Sequence, residues 1–406
     1  MSKRILFLTP QLPYPPQQGT AIRNYNLIVQ VARQHEVHLL SFTDTQGPTT
    51  DAGPLPDLCT SLNTIPVPRR GNWQRLRTIL TSPLPDIAHR LSTTAFYQEL
   101  EAVLSATHPD VLQIEGLEMA QYGLYARQLA AEDAPLLVFD AHNAEYLLQQ
   151  RIFETDSRHP QRWLGALYSL IQWQKLRRYE TMVCRHMDRV IACSPADAQA
   201  LAKLVPGLRA IVVPNGVDTQ RYRPGVVSPL ELGPQALVFT GKMDFRPNVD
   251  AVLWFCSKAL PTIRRASPSA QFYIVGKNPH PRLAPLARTP GVTITGFVED
   301  VRPYTAAAAV YVVPLLTGGG TRLKILEAMA MGKPVVSTTL GCEGIQAMPG
   351  RDIVVADHAE DFAVQVLALL KSQARRDELG GAARAFVERH FDWQTVTLPL
   401  EQAYER

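Results

Sequence analysis

Pro314-Leu-Leu-Thr-Gly-Gly-Gly-Thr-Arg-Leu-Lys-Ile-Leu-Glu-Ala-Met-Ala-Met-Gly-Lys-Pro-Val-Val-Ser337 reads, in order, as a strand end, a glycine loop, a helix and a second strand. Three consecutive glycines at 318–320 let the backbone pass close to a ligand. The helix that follows, 321–331, is left at Gly332. Its first turn offers free N–H groups and the positive end of a dipole, which suits a diphosphate. Gly319, Gly320 and Thr321 are therefore candidate donor contacts, with Arg322 and Lys324 as nearby cations. Glu327 sits a turn and a half along the helix, where a carboxylate can accept hydrogen bonds from ribose hydroxyls. A tight strand–helix turn carrying an ordinary surface glutamate fits the same letters.

Outward from this segment the alternation continues. Short apolar runs fall at 4–9, 36–42, 111–115, 136–140, 189–193 and 210–213, then at 236–241, 271–276, 292–296, 310–315, 334–337 and 352–356. Most are continuously apolar, as strands covered on both faces of a parallel sheet should be. Helix-period segments separate them, such as 248–264 with Val249, Val252, Leu253, Cys256, Leu260 and Ile263 on one stripe. Alternating strands and helices place the chain in the doubly wound α/β class. The pattern restarts near residue 236, after a Pro/Gly-containing stretch at 214–234. Two Rossmann-like domains facing across a cleft are expected, 1–213 and 214–384.

The bulk numbers agree with this and remove other classes. A chain of 406 residues, 46% hydrophobic and 19% charged, can bury two full cores and is neither disordered nor a coiled coil. A net charge of +4, without dense basic tracts interleaved with aromatics, excludes nucleic acid as the expected partner. Five scattered cysteines without paired spacing read as buried thiols in a reducing cytoplasm. The first apolar run, 5–8, is too short for a signal peptide and reads as a strand. No apolar stretch reaches the ~18 residues of a spanning helix. The expected location is cytoplasmic, with the inner membrane surface as an option.

Open parallel sheets bind ligands beyond the carboxyl ends of their strands. Three further constellations stand there. Phe239-Thr-Gly-Lys-Met-Asp-Phe-Arg-Pro-Asn248 offers Gly241 for a close approach and Lys242 and Arg246 to grip a phosphate; a solvated loop with two stray cations is the plainer reading. Phe139-Asp-Ala-His-Asn-Ala-Glu145 puts His142 just past an apolar strand, either as a structural histidine or as a donor to the sugar or leaving group. Pro13-Tyr-Pro-Pro-Gln-Gln-Gly-Thr20 follows the first strand and is a connector or a loop closing on the ligand.

Taken together, the chain resembles the family 4 glycosyltransferases, which have the GT-B fold, and within them the branch tied to exopolysaccharide synthesis. The resemblance runs through Leu6-Phe-Leu-Thr-Pro…Gly19, Val213-Pro-Asn-Gly-Val-Asp218, Gly296-Phe-Val-Glu-Asp-Val301 and Leu326-Glu-Ala-Met-Ala-Met-Gly-Lys-Pro-Val-Val336. It implies that Glu327 holds the donor ribose and that Lys242 and Arg246 hold the diphosphate, with the backbone at 319–321 helping. It implies that Phe297 and Val298 border the base, that His142 touches the transferred sugar, and that Gly19 lets the first loop near the phosphate. The stretch from Phe391 to Tyr404 resembles a last helix crossing back to the first domain, so 385–406 is assigned there. Many family members carry two Glu with seven residues between them. The earlier position here is Gly319, which puts the donor sugar in question.

The resemblance also implies retention of configuration. No carboxylate nucleophile is evident, so front-side displacement fits, with catalysis by positioning and charge stabilisation. No Asp-x-Asp occurs, so no metal or other cofactor is expected. The partners implied are a nucleotide-sugar donor and a glycan or lipid-linked acceptor. A 2-epimerase of the same fold, which would need no acceptor, and a non-catalytic nucleotide-sugar-binding relic are the competing readings. Finally, 161–179 reads as an amphipathic helix. Trp163, Leu167 and Leu170 form one stripe and Leu164, Tyr168 and Ile171 the next, with Trp173, Lys175, Arg177 and Arg178 beyond and Arg69, Arg70, Arg75 and Arg77 earlier in the domain. Such a stripe either packs on its own core or meets an anionic bilayer.

Overall fold

The computed structural model describes residues 2–44, 52–129, 134–158, 163–318 and 322–406. The chain forms two compact units, Met1–Pro214 with Thr397–Arg406, and Asn215–Val396.

The first unit holds β1 (Arg4–Thr9), β2 (Glu36–Thr43), β3 (Ser61–Pro66), β4 (Val111–Glu115), β5 (Leu136–Ala141), β6 (Arg189–Ala192) and β7 (Ile211–Val212). They pair in the order β3-β2-β1-β4-β5-β6-β7, every pairing parallel. Order reverses at β1, between β2 and β4. Such a switch point leaves a crevice above the strand ends. The second unit repeats the plan with β8 (Ala236–Thr240), β9 (Gln271–Val275), β10 (Val292–Gly296), β11 (Val310–Val313), β12 (Val335–Ser337) and β13 (Val354–Val355), ordered β10-β9-β8-β11-β12-β13. Its switch point lies between β8 and β11. Both sheets are parallel throughout, and two Rossmann-like units are what the alternation of runs predicts.

Strand content follows burial. All residues of β4, β5, β8 and β11 are buried; β8 and β11 accordingly carry almost no polar residues, while β4 buries the alternating Gln113 and Glu115. The strand β3 has no counterpart in the sequence reading. Its letters, Ser-Leu-Asn-Thr-Ile-Pro, mix polar with apolar and end in proline because it is an edge strand with no fully buried residue. The runs at 210–213, 310–315 and 352–356 shrink to Ile211–Val212, Val310–Val313 and Val354–Val355. The stripe at 248–264 is buried as expected, except that Leu253 is partly exposed. It is divided among helix Arg246–Trp254, a wider turn at Phe255–Ala259 and helix Leu260–Ala266. Proline at 261 explains the break, since it can stand only in a helix's first turn.

The return to the first unit starts later than 385. Helix Gln373–His390 stays with the second unit, and only Thr397–Arg406 rejoins the first. That segment is tied in by polar contacts. The Tyr404 hydroxyl donates to Gln113 Oε1 on β4 at 2.6 Å, Lys3 donates to the Tyr404 carbonyl, and His35 meets Glu401 at 3.0 Å. Tyr404 and Gln113 are both buried. Cys59, Cys184, Cys193 and Cys256 are buried free thiols and Cys342 is a half-buried one.

A buried acceptor that loses its donor costs ~1–3 kcal/mol. Tyr404→Phe is therefore expected to lower hydrogen-exchange protection of β1 and β4 amides by roughly tenfold, while β8 and β11 amides keep theirs. Unchanged protection in β1 and β4 would mean that the hydroxyl does not anchor the segment.

Candidate functional site

Past the end of β5, the first unit gathers a set of buried charges. Arg23, on the helix Gly19–Val31, donates through Nε and Nη2 to the two carboxylate oxygens of Asp140, each at 2.9 Å. Its Nη1 donates to the Val213 carbonyl at 3.0 Å. Arg23 and Asp140 are both sealed from water. Beside them Glu115, the last residue of β4, is equally buried. It accepts from Gln113 Nε2 at 2.8 Å, from His142 Nε2 at 2.9 Å, and from the Asn24 amide at 2.8 Å when that amide turns its nitrogen inward. A lone buried carboxylate would be too costly to keep ionised, and three donors compensate it.

The consequence for His142 is directional. Burial works against the imidazolium, but the hydrogen bond to Glu115 and the charges of Asp140 and Glu115 outweigh it, and the pKa of His142 lies above the ordinary histidine value. Burial also lifts Asp140 to about 6 against the pull of Arg23. His142 lines a cavity of about 170 Å³ with Thr20, Arg90, Gly116, Glu118, Asn143 and Glu145. The wall is mostly polar and suits a hydroxylated ligand.

Glu115, Asp140 and His142 bring ligand-type atoms within 4.8 Å of one another, a grouping with the donor chemistry of a metal site. Their partners are already committed, however. A cation entering here would have to displace Arg23 from Asp140 and His142 from Glu115.

The second unit has its own cluster at the ends of β8 and β11. The helix after the glycine loop runs Leu323–Ala330, shorter than 321–331. Lys324, in its first turn, donates to Asn248 Oδ1 at 3.0 Å and lies 4.1 Å from the Phe239 ring centre. Asn248 Nδ2 in turn donates to the Lys242 carbonyl at 2.9 Å. Burial, reinforced by the charge of Arg322, pulls Lys324 down to about 7 despite Glu327. Glu327 is raised by burial, while the Tyr222 hydroxyl and Lys324 stabilise its charge. Gly276 is obligatory here, since a Cβ on it would stand 1.7 Å from the Gly241 carbonyl oxygen, while a Cβ on Gly241 would stand 2.7 Å from Lys324 Nζ and push that side chain aside.

Of the residues singled out in the sequence, Gly241, Lys324 and Glu327 thus meet in one cluster with the backbone of Lys242. The Lys242 and Arg246 side chains point to solvent, each 3.5 Å from a carboxylate, Asp244 and Asp250 respectively. Phe297 is largely exposed and Val298 is partly buried against the core. Gly19 opens the helix that carries Arg23, with open space where a side chain would go. Gly319, Gly320 and Thr321 lie outside the described residues. Arg23, Asn24 and Tyr222 went unremarked in the sequence, and Glu115 and Asn248 were given no role there. Only Glu115 and Arg23 left a signal, as charges inside otherwise apolar or helical runs.

The comparisons with known proteins bear on both units. The model for "Glycosyltransferase Family 4" matches residues 18–221 and that for "Glycosyl transferases group 1" matches 234–372. Glycogen synthase of Mycobacterium tuberculosis is 29% identical over 268 residues, 62% of this chain and 61% of the relative. The chain thus spans about 61% of that relative's length. A GDP-mannose-dependent monoacylated alpha-(1-6)-phosphatidylinositol monomannoside mannosyltransferase of Corynebacterium glutamicum is 30% identical over 205 residues, 45% of this chain and 53% of the relative. Among solved structures, sucrose-phosphate synthase from Thermosynechococcus elongatus superposes with a TM-score of 0.73 at 18% identity, covering 99% of this chain and 98% of the other. That likeness fixes the fold as GT-B.

Glu115→Gln removes the charge that holds the His142 proton. His142 in the wild type should titrate above 6.5 by NMR, and Glu115→Gln should move it down. The linkage follows. With its folded pKa above its unfolded value of 6.5, His142 contributes stability in full below pH 6.5 and loses that contribution as pH rises through the folded pKa. A His142 titration unaffected by Glu115→Gln would separate the two residues.

Proposed function

The chain belongs to glycosyltransferase family 4, and on that premise we propose that it moves a sugar from a nucleotide-diphosphate donor to a glycan or lipid-linked acceptor. The observation that carries this reading is the cluster of Gly241, Lys324, Glu327 and Tyr222 at the switch point of the second sheet, where such sheets take nucleotides. The corynebacterial relative, whose name specifies a GDP-mannose donor and a phosphatidylinositol mannoside acceptor, supports both halves of the reading. The activity is assigned to the cytoplasm and to cell-surface glycan or exopolysaccharide synthesis on the strength of the sequence resemblance.

The mechanism proposed is front-side displacement with retention. The bond from the anomeric carbon to the diphosphate breaks, the acceptor oxygen bonds to that carbon from the same face, and the acceptor proton passes to a phosphate oxygen. Lys242 and Arg246 swing from Asp244 and Asp250 to neutralise the diphosphate, and Lys324 adds a third cation. His142, whose pKa Glu115 raises, donates to the sugar. Glu327 takes the ribose hydroxyls in place of, or along with, Tyr222. The role of Gly19 is to leave room for the phosphate, and Phe297 with Val298 borders the base. No step requires a metal, since cations from the chain meet the leaving-group charge.

Charge-assisted bonds to phosphate contribute ~1.5–3 kcal/mol each. Lys242→Ala and Arg246→Ala should each weaken UDP or GDP binding roughly tenfold or more by calorimetry. Unchanged affinities in both would remove these residues from the site. Glu327→Gln should weaken binding of the ribonucleotide and spare its 2′,3′-dideoxy analogue.

Lys324 gives a separate reading. At pH 8, above its value of about 7, it is largely neutral in the free protein, and an arriving diphosphate favours its charged form. Binding should then take up a proton, seen as a buffer-dependent enthalpy that Lys324→Met abolishes. Equal enthalpies in all buffers would place Lys324 away from the phosphates.

A further inference from the structure

The helix Trp163–His186 packs the opposite way from an ordinary surface helix over its first half. Its buried residues there are Ala166, Ser169 and Gln172, while Trp163 and Leu164 are 65% and 88% exposed and Leu167 and Tyr168 also face out. Of the two apolar stripes only Leu170 and Ile171 are half-buried, while Trp173 beyond them packs against the core. The helix Asn72–Thr81 behaves the same way. None of its residues is buried, and Trp73 and Leu80, at 83% and 74% exposure, flank Leu76 on one stripe.

The two helices are joined. Lys175 donates to the Ile79 carbonyl at 2.6 Å, and Gln172 accepts from the Asp86 backbone at 2.8 Å. Arg70 and Arg75 reach the same Asp86 carboxylate, at 3.1 and 3.4 Å. Two tryptophans and a row of leucines and tyrosine therefore share one side of the first unit. Monomeric soluble proteins do not usually leave so much large apolar surface together.

Basic residues dominate the charge around this face. Segments 69–85 and 163–179 contain no Asp or Glu and seven cations: Arg69, Arg70, Arg75, Arg77, Lys175, Arg177 and Arg178. The carboxylates beside them, Asp86, Glu154 and Asp156, are outnumbered. Exposed tryptophans next to arginines, with leucines between, match the interface of a bilayer whose headgroups are anionic. Among the described residues no helix is long and apolar enough to cross a membrane, so this face would lie on the surface rather than span.

We propose that the paired helices Asn72–Thr81 and Trp163–His186 dock the first unit onto an anionic lipid bilayer. Trp73, Leu76, Leu80, Trp163, Leu164 and Leu167 enter the headgroup region, and Arg77 and Arg178 pair with lipid phosphates. The proposal goes beyond the transfer reading and does not depend on it, because none of these residues belongs to either polar cluster. It gives that reading a place to meet an acceptor carried on lipid.

The test is co-sedimentation of the full chain with vesicles of phosphatidylcholine alone or mixed with phosphatidylglycerol. Binding is expected to the mixed vesicles, to weaken at high salt, and to be slight on phosphatidylcholine. Each basic residue near such a surface is worth about fivefold in affinity, so Arg77→Glu with Arg178→Glu should reduce binding by more than tenfold. Trp73→Glu and Leu164→Glu, at exposed positions, should abolish it while leaving the circular dichroism and UDP or GDP affinity unchanged. Wild type that stays in the supernatant with anionic vesicles at low salt overturns the proposal. So do tryptophan and leucine variants that sediment as the wild type does, or a wild-type dimer in solution that Trp73→Glu splits, which would make the face a protein interface. Loss of nucleotide affinity in Lys242→Ala is read separately, so failure of the transfer reading leaves this result standing.

Discussion

Arg23 and Asp140 meet at 2.8 Å with no access to water, and three parts of the first unit converge on that pair. Arg23 comes from the helix after β1, Asp140 from β5, and the carbonyl of Val213 from the end of β7. Removing one partner of a buried pair leaves a stranded charge and costs ~3–5 kcal/mol, far more than the pair contributes over apolar replacements. Such a pair therefore specifies geometry. It fixes the height of the first helix against the sheet, and with it Asn24, which reaches Glu115. The orientation of His142 is thus inherited from a salt bridge it does not touch.

The same economy governs the second unit. Gly276 must lack a side chain because its loop crosses that of Gly241 within contact distance, and Gly241 leaves space for the ends of Lys324 and Asn248. The room so made is taken by Lys324, lying on Phe239 and bonded to Asn248. A lysine drawn to a pKa of about 7 is costly to keep, and its fold-level benefit is slight. Such groups gather where ligands bring compensating charge.

The fold was legible in the sequence because both sheets are buried on two faces. Continuous apolar runs marked twelve of the thirteen strands at least roughly, and the restart near 236 marked the second unit. The strand β3 was hidden by being an edge, and β13 was blurred because two residues suffice for it. The glycine loop, Lys324 and Glu327 were visible as a local motif. Glu115, Asp140 and Arg23 were not read as a group, because sequence separations of 25 and 92 residues carry no sign that side chains will meet (140 minus 115, and 115 minus 23). The helix at 163–186 shows a different limit. Periodicity identified its apolar stripes but could not say whether they face the core, since that depends on what else fills the core.

The first unit is discontinuous in the chain, with Asn215–Val396 lying between its two parts. Tyr404 closes a line of hydrogen bonds through Gln113 to Glu115, and so to His142. A ribosome making this protein must therefore finish the Asn215–Val396 unit before the other can complete its own interior. The unit made second is free to fold first, as a contiguous piece, while the earlier one waits with an unfilled slot beside β4. The histidine's surroundings are completed only when the last-made segment, Thr397–Arg406, arrives.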